Sequence, residues 1–229
     1  MKRRPLLLGH RGSRDSAAIA ENTFGAFDLA LEHGCDGFEF DVRLARDGSA
    51  VVCHDAELDG IPVSSLVPDQ IRPLPLLNDV LARYADRAFL NIELKVPGLA
   101  PELLAALNQH PPQRGYLVSS FLPDVLLDLR MHFASIPLGI ICDKREQLSC
   151  WRELPVEYVI PRYPLITRKL LRELTGAGKK IFAWTVNGKA SMLRLASWGI
   201  DGIISDKTAL LARTFPAAAQ GQGNISSRN

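Results

Sequence analysis

The sequence predicts an α/β fold, a (β/α)8 barrel, and three observations lead there. Eight short apolar runs alternate with helix-length amphipathic stretches along the chain. The runs are nearly continuous in apolar residues, as parallel strands covered on both faces require, rather than strictly alternating. The GxGxxG fingerprint of an open dinucleotide-binding sheet is absent. A length of 229 residues suits one closed barrel near the small end of its size range.

The eight runs are PLLLGH, GFEFDV, FLNIEL, YLVSSF, IPLGII, EYVIP, KIFAWTV and GIDGIISD. Between them, amphipathic helices are expected over 22–32, 76–85, 101–108, 123–131, 167–175 and 189–198. Asn22 or Thr23 caps the first helix, and His33 with Gly34 closes it. Pro123 opens another at a first-turn position, where its missing N–H costs nothing. One connection departs from the rhythm. Residues 56–75 carry Pro and Asp without a clear helical period and read as an extended loop over one end of the barrel. The expected organisation is one catalytic domain over 1–215, followed by a polar Gly/Ser-rich tail over 216–229 that reads as disordered.

Composition narrows the partners. A formal charge of +2, with no basic stripe interleaved by aromatics, makes no electrostatic case for nucleic acid. No run approaches the roughly 18 apolar residues of a spanning helix. The basic start MKRR meets only three leucines before Gly9, too few for a signal sequence. Cys35, Cys53, Cys142 and Cys150 lack CxxC spacing and read as reduced, small apolar residues. Together these features predict a cytoplasmic protein without stable membrane insertion.

In a barrel, the C-terminal ends of the strands carry the chemistry. The first run ends in His10 and Arg11. The second carries Glu39 and Asp41, two apart and therefore on one face, and the VVCHD that follows ends in His54. The third ends in Glu93 and Lys95, again two apart. Later ends offer Ser119, Ser120, Arg162, Trp184 and Asn187. Two carboxylates dried on one face repel unless a cation sits between them. Glu39, Asp41 and Glu93 form an oxygen-rich set suited to a hard divalent ion, Mg²⁺ or Ca²⁺. Arg11 and Lys95 supply charge for a phosphate, one as a fork and one as a point. His10 and His54 titrate near neutral pH and can exchange protons with attacking and leaving oxygens. The combination describes phosphodiester cleavage.

The plainer alternative is a buried ion network of Glu39 and Asp41 with Arg11 and Lys95, but it leaves both histidines without a task. Trp184 reads equally as core or as pocket wall beside Asn187. Arg162 reads as a loop residue, and His33, His110 and His132 as surface residues. Ser119 and Ser120 have no acid–base partner in a nucleophile motif, which argues against a covalent serine mechanism.

GHRG at 9–12, ENTFGAF at 21–27, GFEFDVRLARDGSAVVCHD at 37–55 and NIELK at 91–95 resemble signature blocks of the glycerophosphodiester phosphodiesterase family. FAWTVN at 182–187 and GIDGIISD at 199–206 resemble its closing blocks. The resemblance implies a TIM barrel that hydrolyses glycerophosphodiesters, such as glycerophosphocholine, to sn-glycerol 3-phosphate and an alcohol with one divalent cation. By it, His10 and His54 are the acid–base pair, Glu39, Asp41 and Glu93 the metal ligands, and Arg11 and Lys95 the phosphate contacts. Two departures stand out. Residues 56–75 replace a longer insertion subdomain, and Lys207-Thr208 replaces a proline-bearing turn. A lysophospholipase D-like activity on lyso-lipids and a non-catalytic glycerophosphate-binding module are the competing expectations.

Overall fold

The structure is a computed structural model describing residues 4–216, so the tail expected beyond Pro216 lies outside the described residues. In chain order the elements are β1 (Leu6–His10), α1 (Phe24–Glu32), β2 (Gly37–Leu44), β3 (Ala50–Val52), β4 (Glu57–Leu58) and β5 (Ile61–Pro62). Then come α2 (Pro68–Ile71), α3 (Leu77–Tyr84), β6 (Phe89–Leu94), α4 (Ala100–Gln109), β7 (Tyr116–Ser120), α5 (Pro123–His132) and β8 (Leu138–Cys142). A 3₁₀ stretch over Arg145–Arg152 leads to β9 (Tyr158–Pro161). The chain finishes with α6 (Arg168–Gly176), β10 (Lys180–Ala183), α7 (Lys189–Trp198), β11 (Gly202–Ser205) and α8 (Thr208–Thr214).

Eight of the strands, β1, β2 and β6 to β11, pair in parallel, and the sheet closes where β1 meets both β11 and β2. This is the predicted barrel, and closure leaves it no free parallel edge. The short β3 lies antiparallel on β2, pairing Val42 with Val52. It carries the chain back across the barrel end and delivers His54.

The period of two along each strand separates two apolar layers. Leu8, Phe89, Leu117, Ile141, Ile160, Phe182 and Ile204 fill the barrel interior. Leu7, Phe38, Phe40, Leu90 and Ile92 face outward and pack beneath the helices. Phe27 of α1 stacks on Phe38 at 4.2 Å between ring centroids, and Tyr84 of α3 meets Phe38 edge-on at 5.0 Å. Burying each aromatic ring contributes roughly 2 kcal/mol, and these contacts fix α1 and α3 against β2. Glu39 and Asp41 therefore point into the barrel because Phe38 and Phe40 point out.

The segment 56–75 departs from the extended loop expected of it. It folds into the β4–β5 hairpin, a 3₁₀ turn over Val63–Ser65 and the short α2. Val63, Leu66 and Ile71 are buried with Ala45, Val51 and Cys53 in a small satellite core. Pro62, Pro68, Pro73 and Pro75 interrupt any single helix through these residues, so the sequence pattern concealed a compact unit built from short pieces. Among the described residues, no helix is long and apolar enough to cross a membrane.

Candidate active site

The turn after β1 begins the site. Arg11 and Gly12 both adopt left-handed backbone, with φ of 56° and 81°. A Cβ on Gly12 would lie 2.6 Å from the Ala26 carbonyl carbon, so only glycine permits this close approach to α1. The turn directs the Arg11 amide to Glu39 Oε2 at 3.0 Å. Thr23, not Asn22, caps α1, its hydroxyl accepting from the Ala26 amide. Asn22 is released for another task and donates from Nδ2 to Asp41 Oδ2 at 2.9 Å.

Strand register sets the levels. His10 lies beside Glu39, and Glu39 beside Asn91. Asp41 lies beside Glu93, and Glu93 beside Ser119. Glu39, Asp41 and Glu93 are all buried and offer carboxylate oxygens within 4.8 Å of one another. Lys95 Nζ lies 2.6 Å from Glu93 Oε1 and 3.3 Å from Asp41 Oδ1, and Arg11 Nε lies 3.4 Å from Asp41 Oδ2. Part of the plain ion network therefore exists, but it does not satisfy the cluster. Three carboxylates face two fixed cations, and Glu39 Oε1 and Arg11 Nε are buried without hydrogen-bond partners. Asn91 Nδ2 beside them is also unpartnered. A bare carboxylate oxygen at 3% residue exposure is costly to keep. This donor set fits a hard divalent cation.

The electrostatics agree. Burial, then the charges of Asp41 and Glu93, push the Glu39 carboxyl well above the ordinary range, with Arg11 pulling the other way. Burial and Asp41 push Glu93 up to about 7 against the pull of Lys95. Burial alone would lower the Lys95 ammonium, but Glu93 and Asp41 hold it above its usual value.

His10, Arg11, Glu39, His54, Glu93, Lys95 and Trp184 line one cavity of about 90 Å³. Asn91 and the apolar Phe121, Ile141, Ile160 and Ile204 complete the wall. A wider groove of about 640 Å³ between α6 and α7 contains none of the predicted site residues. His10 Nδ1 lies 2.8 Å from Asp206 Oδ1, while its Nε2 lies 4.0 Å from Glu39 Oε2. His54 Nδ1 pairs with Asp55 Oδ1 at 2.7 Å, and burial lowers its imidazole against that bond. Arg43 Nε holds the His54 carbonyl at 2.9 Å, fixing where β3 delivers the ring.

Asn187 is placed differently from the others. It is exposed, and its amide reaches Asp206 Oδ2 at 2.7 Å rather than the cavity wall. Trp184 is half-buried on the wall, its indole N–H donating to the Ile160 carbonyl at 3.0 Å. Arg162 is exposed, and Ser119 and Ser120 are buried and bonded to Asn91 Oδ1 and the Leu94 carbonyl. His33, expected at the surface, is half-buried, with Nδ1 2.8 Å from Thr208 Oγ1. Thr208, which opens α8 at the departing position, also bonds Ser13.

Sequence reading missed Glu21, Asn22, Asn91, Phe121 and Asp206 as parts of the site. Asp206 was within reach, because it ends the GIISD run by the same strand-end rule. Asn22 was not, because capping explained it equally well.

The sequence matches the Glycerophosphoryl diester phosphodiesterase family over residues 10–76 and 63–210. The chain belongs to that family. It is 31% identical over 229 residues to a glycerophosphodiester phosphodiesterase of Caldanaerobacter subterraneus subsp. tengcongensis, covering 88% of this chain and 93% of the relative. The crystal structure of the glycerophosphodiester phosphodiesterase of Thermotoga maritima superposes with a TM-score of 0.79 at 27% identity, covering 93% of this chain and 99% of that one. A phosphodiesterase of Oleispira antarctica, solved with its product sn-glycerol-3-phosphate, shares the fold with a TM-score of 0.80 at 24% identity, covering 93% and 98%.

Family membership leaves Asp206 as a feature to be tested in this chain. Burial would raise its carboxyl, but hydrogen bonds from His10 and Asn187 bring it down to about 2 from an ordinary 3.8. A depressed acid stabilises the folded state above its unfolded value, and that contribution disappears as pH falls through the folded value. Asp206→Asn is therefore expected to cost roughly 2 kcal/mol at pH 7 and to lose little further between pH 4 and pH 2 from this group. Urea midpoints of wild type and variant at pH 7 and at pH 2 check it. An equal cost at pH 7 and at pH 2 would contradict the linkage.

Proposed function

We propose that the chain hydrolyses glycerophosphodiesters to sn-glycerol 3-phosphate and an alcohol, with a divalent cation and two proton-carrying histidines. The observation that carries the reading is one small cavity lined by Glu39, Glu93, Arg11, Lys95, His10 and His54, with the buried Asp41 carboxylate within 4.8 Å of the other two. The family of the chain and the names of its relatives support the substrate class. Mg²⁺ or Ca²⁺ held by Glu39, Asp41 and Glu93 would supply positive charge against the phosphate oxygens.

The side chains do the rest. Arg11 and Lys95 orient the phosphate, the guanidinium through two donors and the ammonium through one. One histidine takes the proton of the nucleophile, either water or the glycerol 2-hydroxyl, as its bond to phosphorus forms. The hydroxyl route gives a cyclic phosphate first. The other histidine gives a proton to the departing alkoxide oxygen as the second phosphorus–oxygen bond breaks. Trp184 and Phe121 close an apolar wall beside the reacting groups, which strengthens each charge interaction inside. The free cysteines suit a reducing compartment, and we place the protein in the cytoplasm.

A lyso-lipid substrate would need an apolar rim. Of the apolar residues in the segment 56–75, Val63, Leu66 and Ile71 are buried beneath it, while Ile61 and Val67 remain exposed. The test is incubation with glycerophosphocholine and glycerophosphoethanolamine, with and without EDTA, read through glycerol-3-phosphate dehydrogenase. Turnover that stops with chelator and returns with added Mg²⁺ or Ca²⁺ is expected. Turnover of long-chain lyso-lipids alone would replace the substrate assignment. Product-like ligand binding without turnover under any divalent ion would replace the enzyme with a binding module.

A further inference from the structure

The two working ends of the site are joined by a chain of side chains outside the cavity. Asp206 Oδ1 accepts from His10 Nδ1 at 2.8 Å and from Arg14 Nη1 at 3.2 Å. Arg14 Nε reaches Glu21 Oε2 at 2.9 Å, and Glu21 Oε1 accepts from Arg11 Nη1 at 2.6 Å. The line therefore runs His10–Asp206–Arg14–Glu21–Arg11, with charges alternating from Asp206 onward. Asp206 is itself held from behind. Its Oδ2 accepts from Asn187 Nδ2 at 2.7 Å, and its amide donates to Asn187 Oδ1 at 3.0 Å. Ser205 Oγ fixes the same Asn187 oxygen at 3.0 Å. The Arg14 amide also donates to the Asp206 carbonyl at 3.2 Å, tying the turn after β1 to the end of β11.

We infer that Asp206 and Glu21, bridged by Arg14, are positioning residues that set His10 and Arg11 as one unit, so that proton carrier and phosphate clamp are aligned together. The inference rests on the reading that His10 moves a proton and Arg11 holds phosphate. An ionised carboxylate can only accept, so Asp206 requires the proton of neutral His10 on Nδ1. The Nε2 lone pair is then left facing Glu39 and the cavity. Glu21 does the corresponding work on Arg11. It occupies Nη1 from outside and restricts the rotation of the guanidinium, whose Nε lies toward Asp41. His54 has no comparable support, since its partner Asp55 is 80% exposed and is bonded to His54 alone among its side-chain contacts.

The experiment has two arms on the full chain. The first reads the His10 ring nitrogens by ¹⁵N NMR at neutral pH, with chelator, and needs no turnover. The wild-type ring should carry its proton on Nδ1, and Asp206→Ala should shift the population toward the Nε2–H form. The second arm is kinetic. Asp206→Asn should lower kcat by about 10²-fold with KM within about twofold, as expected for a misaligned reacting group. Glu21→Gln should raise KM several-fold and lower kcat less.

Because both act through Arg14, the double variant should lose much less than the product of the single losses. In an Arg14→Met background the two losses should multiply. An unchanged His10 tautomer in Asp206→Ala, or losses that multiply with Arg14 present, would overturn the inference. Absence of wild-type turnover with the tautomer result intact would instead fault the proposed reaction, and the two failures are thus separate.

Discussion

His10→Ala and His54→Ala should each lower kcat by roughly two to four orders of magnitude while leaving the fold intact. The size follows from the leaving group. An alkoxide departs poorly from phosphorus, so a proton delivered as the bond breaks removes much of the barrier. A proton withdrawn from the nucleophile does the same on the opposite side. The fold should survive because both rings sit at the cavity edge, their side chains 12% and 32% exposed. Asp206 keeps Asn187 and Arg14 as partners when His10 is removed, so no buried acceptor is stranded.

A substrate analogue with a p-nitrophenyl leaving group separates the two roles. The variant lacking the general acid should recover most of its rate, because that leaving group needs no proton. The variant lacking the general base should not. Circular dichroism and kcat measured together check the result, and full activity in both variants would remove the histidines from the mechanism.

Glu39→Gln should abolish metal-supported turnover and yet stabilise the metal-free protein. Glu39 is buried, its Oε1 has no partner, and it lies beside Asp41 and Glu93. Glutamine keeps a carbonyl oxygen for the Arg11 amide, which now donates to Oε2 at 3.0 Å. It removes the charge that burial penalises most. In chelator the variant should gain about 1–2 kcal/mol, or several degrees in Tm for a chain of this length.

Added Mg²⁺ or Ca²⁺ should reverse the order. Wild type should bind the ion in its folded state and be stabilised by RT ln(1 + c/Kd) at free-ion concentration c, whereas the variant should gain little. Loss of ligand charge should lower kcat/KM by at least about 10³-fold, equivalent to roughly 4 kcal/mol of transition-state stabilisation. Thermal melts with and without the ion check the crossing. A variant less stable than wild type in chelator would show that Glu39 pairs favourably with Arg11 and needs no ion.

Much of this site was legible in the residues because two periodicities reveal it. Pairs two apart on a strand share a face whatever surrounds them, so Glu39 with Asp41 and Glu93 with Lys95 could be oriented before any fold was known. Eight apolar runs separated by helices leave few closed topologies, and all eight became barrel strands. What pattern cannot express is a partner chosen across the barrel. Asp206 meets His10 from 196 residues away because β11 closes against β1. Asn187 turned to that carboxylate, away from the cavity wall, because β10 pairs with β11 and brings their ends together. Asn22 faced a local choice between capping α1 and bonding Asp41, and the left-handed backbone at φ of 57° decided it. The loop over 56–75 hid its satellite core because its pieces are shorter than any period that could expose them. Local residue type and spacing thus determined the strands, their inward faces and the kind of chemistry at their ends. Closure of the barrel decided which distant side chains orient that chemistry, because hydrogen bonding depends on proximity in space and not along the chain.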